Sequence, residues 1–368
     1  MKFLIPTEPD DSHAINVKLA LEEQGHHVQL LFTADQPTKL KNSVFMDHEN
    51  HCWKSADTHD CITHHEYDVV WWRRARIPYV PKDSVHLADY KFVARENRLF
   101  FESITSIMAL HARWINDKEC AKRAMSKLLQ LKVAMKCGMR IPMTLCSNDP
   151  YDIDTFLLAH EQEGVIYKPL CSDVWFEADG MRIAYTTKIS SGDLPKQALL
   201  QFVPGIYQKE IKKSYELRVT YFNGYMVCVK LHSQEHPEGK VDWRAIPTQA
   251  LRIEPYTLPT RLESQIIAFM QKMGLVFGAL DFIVNEDDEI IFLEVNEQGQ
   301  FLWIEELNPE IKMLDIFTHF LIAGGEFFNG CETKCVHRLE DYTHIAAEQE
   351  MMQRQRHINL NSAVLHNT

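Results

Sequence analysis

Apolar positions recur along the chain at two spacings, and the switches between them mark strands and helices. Lys2–Pro6 is a short apolar run. Ala14–Gln24 carries apolar residues at helical spacing with Gly25 as its stop, and His27–Phe32 returns to strand character. Asp68–Trp72 predicts another strand. A long helix follows from about Val85 to Leu110, with Arg95, Glu96 and Arg98 on its polar side. Residues 1–112 thus predict an α/β domain. No Gly-x-Gly-x-x-Gly follows the first strand, so no dinucleotide site is predicted there.

Residues 113–205 open with a helix from Asp117 to Cys137 closed by Gly138. A strand Ile141–Leu145 enters the turn Ser147-Asn148-Asp149-Pro150, a helix runs to about Glu161, and a strand Val165–Pro169 carries Lys168 in an apolar setting. Val174 to Ile189 alternates like a hairpin turning at Asp179-Gly180. In residues 206–325, strands Leu217–Phe222 and Tyr225–His232 flank Asn223-Gly224, a strong two-residue hairpin signal. The helix Leu262–Met273 leads to a second hairpin, and Pro309–Ala323 is a last amphipathic helix ending at Gly324-Gly325. Residues 326–368 are polar and read as a mobile, partly helical tail.

The second hairpin holds the most informative chemistry. Apolar runs Phe282–Val284 and Ile290–Val295 are joined by Glu286-Asp287-Asp288-Glu289. Strand side chains alternate faces, so Glu294 and Asn296 share one side, and the hairpin returns Asp281 beside them. Two carboxylates and a carboxamide are hard oxygen donors suited to Mg²⁺ completed by substrate phosphates. This is the outline of a Mg-nucleotide site.

Composition narrows the classes. With 368 residues, 45% hydrophobic and 24% charged, the chain can build more than one core. A net charge of −12 argues against a nucleic-acid partner. Nine scattered cysteines without a Cys-x-x-Cys pair predict reduced thiols. No signal peptide and no membrane-length apolar run appear, so a cytoplasmic protein without a membrane partner is expected. The stretch His48–His65 has irregular His/Cys spacing and reads as a surface loop rather than a zinc site; Cys331-x₃-Cys335 carries no stronger signal.

Ordered words now accumulate: Trp71-Trp72-Arg73-Arg74, Arg95-Glu96-Asn97, Trp114-Ile115-Asn116, Lys127-Leu128-Leu129-Gln130-Leu131, Ser147-Asn148-Asp149-Pro150, Tyr167-Lys168-Pro169, Leu217-Arg218-Val219, Asp242-Trp243-Arg244, and the strand from Glu294 to Trp303. Over about residues 1–325 this set resembles the ATP-grasp superfamily. Within it, the set is most similar to the ligases that mature ribosomal peptides, the microviridin-type or graspetide macrocyclases.

The resemblance implies an α+β ATP-grasp fold with an N-terminal α/β domain (1–112), a central lobe (113–205) and a C-terminal lobe with the metal site (206–325), the tail lying outside. It implies ATP and Mg²⁺ as cofactors, with Lys127 and Lys168 on the phosphates and the segment Gln208, Lys209, Glu210 and Ile211 as the adenine hinge. Lys209 stands where the family usually has an acidic residue, which suits a hinge that holds adenine by backbone groups. Asp281, Glu294 and Asn296 would hold the metal. Arg218, a bidentate fork, and Arg244 would meet a substrate carboxylate or acyl phosphate. Arg73 and Arg74 simply end a strand in this reading.

The expected activity is ATP-dependent macrocyclisation: Asp or Glu side chains of a precursor peptide become acyl phosphates, which Thr or Ser (ester) or Lys (amide) attack. The expected partner is that peptide with its leader segment; a homodimer is also compatible. The hairpin Ser172–Ile189, with Trp175, Phe176 and Tyr185 among polar residues, reads as core packing or as a docking surface for the leader. Two other readings stay open: a ligase adding a free amino acid to a carboxylate, and an ATP-binding regulator without catalysis.

Overall fold

The computed structural model describes residues 1–57, 61–63, 67–170, 174–177, 180–183, 186–324, 327–330 and 337–360. The architecture is α+β, as predicted. Two compact units form: residues 1–118 together with 312–368, and residues 119–311.

In the first unit, β1 (Lys2–Thr7), α1 (Ser12–Glu23) and β2 (His27–Phe32) make an alternation of strand, helix and parallel strand, paired from Lys2↔His27 to Thr7↔Phe32. Asp11 starts α1 by accepting from the Ala14 N–H at 3.4 Å. Gly25 follows its end at φ +80°, a conformation that favours glycine. β3 (Lys41–Met46), β4 (His51–Ala56) and β5 (Cys61–Thr63) form a small antiparallel sheet where a loop was expected. The alternation of buried Trp53 and Ser55 with exposed neighbours is the strand signal that the histidines obscured. His59, His64 and His65 lie outside the described residues. β6 (Val69–Trp71), α2 (Tyr90–Ile107) and β7 (Arg113–Ile115) complete a parallel sheet of order β2-β1-β6-β7.

The second unit begins with α3 (Lys118–Ala124) and α4 (Lys127–Lys136), which divide what was expected as one helix. Ser126 leaves helical backbone and its hydroxyl accepts from the Leu129 N–H at 3.3 Å, so a cap interrupts the apolar periodicity. Lys127 thereby becomes the first residue of α4.

β8 (Thr144–Ser147), α5 (Pro150–Ala159), β9 (Val165–Lys168), a separate hairpin of β10 (Val174–Glu177) with β11 (Gly180–Ile183), β12 (Thr187–Ile189), α6 (Gln197–Leu200) and β13 (Gly205–Lys209) follow. Four of these strands form an antiparallel sheet, β12-β9-β13-β8. Ile153 and Leu157 of α5 bury against Val165, Leu200 and Tyr207. Asp179, at the expected hairpin turn, and Ser172 and Tyr185 lie outside the described residues.

β14 (Lys213–Phe222), β15 (Tyr225–Leu231), β16 (Ile253–Pro255), α7 (Thr260–Met273), β17 (Phe277–Asn285), β18 (Ile290–Asn296) and α8 (Leu302–Leu307) complete the unit. The five strands order as β16-β15-β14-β17-β18, all antiparallel. Asn223 and Gly224 take φ of 39° and 116°, the positive values of the tight turn that their sequence demands. Ile266, Phe269, Met270 and Met273, spaced along one face of α7, pack on Val219, Leu280, Phe282 and Phe292. Each such buried side chain contributes about 1.5–3 kcal/mol, so this core is the platform on which the charged residues of β14, β17 and β18 are held.

α9 (Met313–Ile322) and α10 (Leu339–Arg356) return to the first unit. The stretch expected as a mobile tail therefore contains an ordered 18-residue helix. Its Leu339, Tyr342 and Ala346 are buried at helical spacing within an otherwise polar run. Tyr342 donates to Glu23 of α1, and the His357 ring stacks on Phe32 at 3.9 Å with Nδ1 2.5 Å from Asp35 Oδ2. Cys331, Cys335 and residues 361–368 lie outside the described residues. Among the described residues, no helix is long and apolar enough to cross a membrane.

Candidate active site

Register places the charges of the second unit in a row. Arg218 of β14 pairs with Asp281 of β17, and Asp281 pairs with Glu294 of β18. Partners across antiparallel strands project to one side, so all three side chains meet on one face. A bulge between Asp281 and Phe282 leaves Leu293 without a partner and sets Glu294 opposite Asp281. The hairpin expected from the sequence thus brings the two carboxylates together.

Cations surround them. Arg218, 4% exposed, donates from Nη1 to both oxygens of Asp281 at 2.9 Å and from Nη2 to the Gln300 carbonyl at 3.1 Å. Arg244, its side chain 44% exposed, donates from Nη2 to Asp281 Oδ2 at 3.0 Å and to Glu294 Oε1 at 2.8 Å, so one guanidinium bridges both carboxylates. Asp242 caps the turn that carries it, accepting from the Arg244 N–H at 3.1 Å. Lys127 donates to Glu294 Oε2 at 2.6 Å. Lys168, at the end of β9, has no hydrogen-bonded partner among the described residues.

This balance sets the ionisation. Burial alone would push the Glu294 carboxyl up, but Lys127, Arg244 and Lys168 outweigh it and hold it at about 2. Burial, with help from Lys127 and Arg244, pulls the Lys168 ammonium below the usual lysine range against the attraction of Glu294. Burial would weaken Arg244 as well, yet Asp281, Glu294 and Asp242 keep it charged above its ordinary value.

The other expected site residues divide by where their side chains go. Gln208 is buried on β13, donates to Thr144 Oγ1 at 2.9 Å, and leaves its Oε1 buried without a partner. β13 ends at Lys209, so Glu210 and Ile211 lie beyond the ladder. Lys209 pairs with Glu163 at 2.7 Å and Glu210 with Lys188 at 2.5 Å. A small cavity runs along this segment between Ile166, Ile211, Val241, Ile283 and Leu293. Asn296 is exposed, and its Oδ1 accepts from the Gln298 and Gly299 N–H groups at 3.0 and 3.1 Å, closing the turn after β18.

Five further residues, in three groups, shape the site without having been assigned a role from the sequence. Gln130 is buried; its amide donates to the Ala124 and Val295 carbonyls and its Oε1 accepts from the Val295 N–H at 2.8 Å, locking α4 to β18. Its signal was its place three residues after Lys127, one helical turn along. Lys213 and Glu216, 4% and 6% exposed, pair at 2.7 Å beside the cavity; burial pushes Glu216 up despite Lys213. Trp243 and Trp303 pack with ring centroids 5.1 Å apart next to Arg244.

The donor set fits a divalent cation and a nucleotide. A guanidinium already bridges the two carboxylates from the solvent side, and Glu294 stays anionic well into acid. A slot lined by Ile166, Ile211, Val241, Ile283 and Leu293 together with Gln208 and charged residues such as Lys213, and holding an orphaned amide oxygen, suits a flat base carrying an amino group. Lysines aimed at the same end suit phosphates.

No protein-family model and no curated protein matches the chain. Solved structures do. A ribosomal-peptide-associated ATP-grasp ligase from Chryseobacterium gregarium, in complex with ADP and a leader and core peptide, superposes with a TM-score of 0.79 at 24% identity, covering 89% of this chain and 98% of its own. The macrocyclase MdnC from Microcystis aeruginosa MRC, bound with precursor peptide MdnA, gives 0.75 at 25% identity, covering 88% and 99%. The ATP-grasp ligase PsnB, complexed with minimal precursor, Mg and ADP, gives 0.67 at 18% identity, covering 87% and 96%.

Proposed function

We propose that this chain, an ATP-grasp ligase, closes rings in a ribosomally made precursor peptide. It transfers the γ-phosphoryl group of ATP to Asp or Glu side chains, releasing ADP, and Thr or Ser hydroxyls, or a Lys amine, then attack the acyl phosphate and expel inorganic phosphate. The observation that carries the reading is the charge balance around Asp281 and Glu294. Four cations, Lys127, Lys168, Arg218 and Arg244, gather at the facing carboxylates of Asp281 and Glu294 and the neighbouring one of Asp242, and Lys168 is still without a hydrogen-bonded partner among the described residues. Such a surplus accepts a polyanion.

Mg-ATP, when bound, supplies the phosphoryl group that makes the substrate carboxylate a good acylating agent. Asp281 and Glu294 are the proposed metal-holding pair, with Asn296 as the third donor. Lys127 and Lys168 neutralise phosphate oxygens. Gln208 and the backbone through Lys209, Glu210 and Ile211 hold the base in the slot. Arg218 fixes Asp281, while the exposed fork of Arg244 releases its carboxylates and orients that of the substrate. Trp243 and Trp303 shield that flank from water. Leu199 on α6 and Phe202 and Val203 just after it, all exposed, offer the leader segment an apolar surface.

The test is intact mass after incubation with Mg-ATP and a precursor peptide bearing Thr, Ser or Lys with Asp and Glu. The expected result is a loss of one water per ring with stoichiometric ADP. An unchanged peptide mass with ADP accumulating only when a free amino acid is added would replace this reading with amino-acid attachment. ATP binding without any ADP across such peptides would leave a regulator.

A homodimer completes the proposal. Phe92, Leu99 and Phe100 form an exposed apolar stripe along α2, interleaved with Arg95, Glu96, Arg98 and Glu102, so two antiparallel copies match both apolar and opposite charges. Light scattering is expected to give twice the chain mass for the wild type and monomers for Leu99→Glu; a monomeric wild type removes the dimer.

A further inference from the structure

Arg73 and Arg74 do more than end a strand: they sit at the most ligand-prone place of the first unit. In its parallel sheet, chain order runs from β1 outward to β2, then returns to place β6 on the other side of β1. Ligands of open parallel sheets bind beyond the carboxyl ends of strands at such a reversal. Thr7 ends β1 and Trp71 ends β6, and the Arg73 N–H donates to the Pro6 carbonyl at 3.3 Å.

Five charged side chains converge there. Arg73 and Asp11, each 1% exposed, pair at 2.7 Å. Glu8, 5% exposed, meets Arg74 Nη2 at 2.7 Å and also the Nε of Arg76. Three guanidiniums therefore face two carboxylates. The twelve-residue helix α1 begins at the same place, its positive end already capped by the Asp11 carboxylate. Arg74 and Arg76 are 24% and 43% exposed, so the surplus is accessible.

The backbone gives an independent sign. Arg74 stands at φ +49°, in the left-handed region that arginine rarely adopts. Glycine would occupy it without strain. An arginine held there by a buried Arg73–Asp11 anchor is a strained residue kept in place by its surroundings, the pattern found at ligand clamps.

We propose that Arg74, with Arg76, is a carboxylate-binding site for acidic side chains of the peptide substrate. Glu8 occupies the fork until a peptide carboxylate replaces it. This site rests on the peptide-condensing reading for its substrate class, and it adds a specificity element in the first unit apart from Arg218 and Arg244. Guanidinium forks recognise carboxylates bidentately, so the preference is for Asp or Glu over Asn or Gln in the bound segment.

Binding measured without ATP tests the site separately from turnover. The probes are a synthetic eight-residue peptide of alternating Thr and Glu, its Thr/Gln twin, and inorganic phosphate as competitor. Wild type is expected to bind the Thr/Glu peptide at least about tenfold more tightly than the Thr/Gln peptide, the preference of a paired charge over an amide. Arg74→Gly relieves the backbone and is expected to keep the unfolding midpoint while losing that preference. Arg74→Lys keeps the charge but not the fork and is expected to lose most of it. Glu8→Gln is expected to tighten binding of the Thr/Glu peptide.

Equal binding of the two peptides to wild type, or an unchanged preference in folded Arg74→Gly, overturns the proposal. So does displacement of the peptide by phosphate at equal concentration, which would make this a phosphate site. If wild type condenses precursor peptides while Arg74→Gly keeps its preference, this site alone fails. If the preference depends on Arg74 but no peptide is ever condensed, the functional reading fails and the site stands.

Discussion

Glu294→Gln is expected to lower ATP-dependent condensation about a thousandfold, the upper end of what removing one preorganised electrostatic group costs. The side chain keeps its shape and one acceptor oxygen, so the loss isolates its charge. In the ligand-free protein that charge is shared between Lys127 at 2.6 Å and Arg244 at 2.8 Å. Without it, Arg244 still has Asp281 and Asp242, and Lys127 can turn toward solvent. The stability cost is therefore about 1 kcal/mol or less at neutral pH, as for partly exposed ion pairs.

The pH dependence has a definite sign. The folded-state carboxyl is held at about 2, below its ordinary 4.5. Its contribution is fully present above 4.5 and is lost as pH falls through 2. The stability gap between wild type and Glu294→Gln should shrink over that interval. Near-wild-type condensation by Glu294→Gln would sink the assignment.

Lys168 supplies the contrast. Lys168→Met removes a cation that burial already weakens, so it should leave the ligand-free protein as stable or slightly more so while abolishing ATP-driven turnover. A group that costs stability and serves chemistry is what a functional site looks like.

What could be read from the sequence follows the range of each signal. The meeting of Asp281 with Glu294 was legible because strand alternation and one hairpin are local, and the observed register pairs the two as that hairpin required. The bulge at Leu293 that perfects this alignment has no local sign. Neither does the pairing of Arg218 with Asp281, which depends on strands 63 residues apart in sequence. The partly helical character of the tail was legible but its docking was not, because α10 is amphipathic only sparsely: Leu339, Tyr342 and Ala346 carry its burial, and the contact of Tyr342 with Glu23 joins residues 319 apart. Ser126 was legible in principle, since a serine followed by a fresh helical turn is a cap signal, but a continuous run of helix formers on both sides hid it.

Asp11→Ala is expected to cost the fold about 3–5 kcal/mol, because it removes the buried carboxylate that balances the Arg73 guanidinium. Asp11 accepts from Arg73 Nε at 2.7 Å and from the Thr7 hydroxyl at 2.8 Å, and its other oxygen caps α1. The lost cap adds about 1 kcal/mol. Arg73→Met leaves the opposite charge buried and should cost a similar amount. The two losses are not expected to add. In the double variant neither charge remains unpaired, so its unfolding midpoint should lie above that summed from the single variants. Additive losses would show that the pair is not coupled.

Acid supplies a second check on the same pair. Burial would raise the Asp11 carboxyl, but Arg73, aided by His13 and Arg74, holds it at about 2 against an ordinary 3.8. Its contribution is thus present above 3.8 and lost as pH falls through 2, and the gap between wild type and Asp11→Asn should close across that window. Since Arg73 immediately precedes the strained Arg74, loosening the anchor should also release the guanidinium beside it. Asp11→Asn is then expected to weaken the Thr/Glu preference of the first unit even where the protein remains folded.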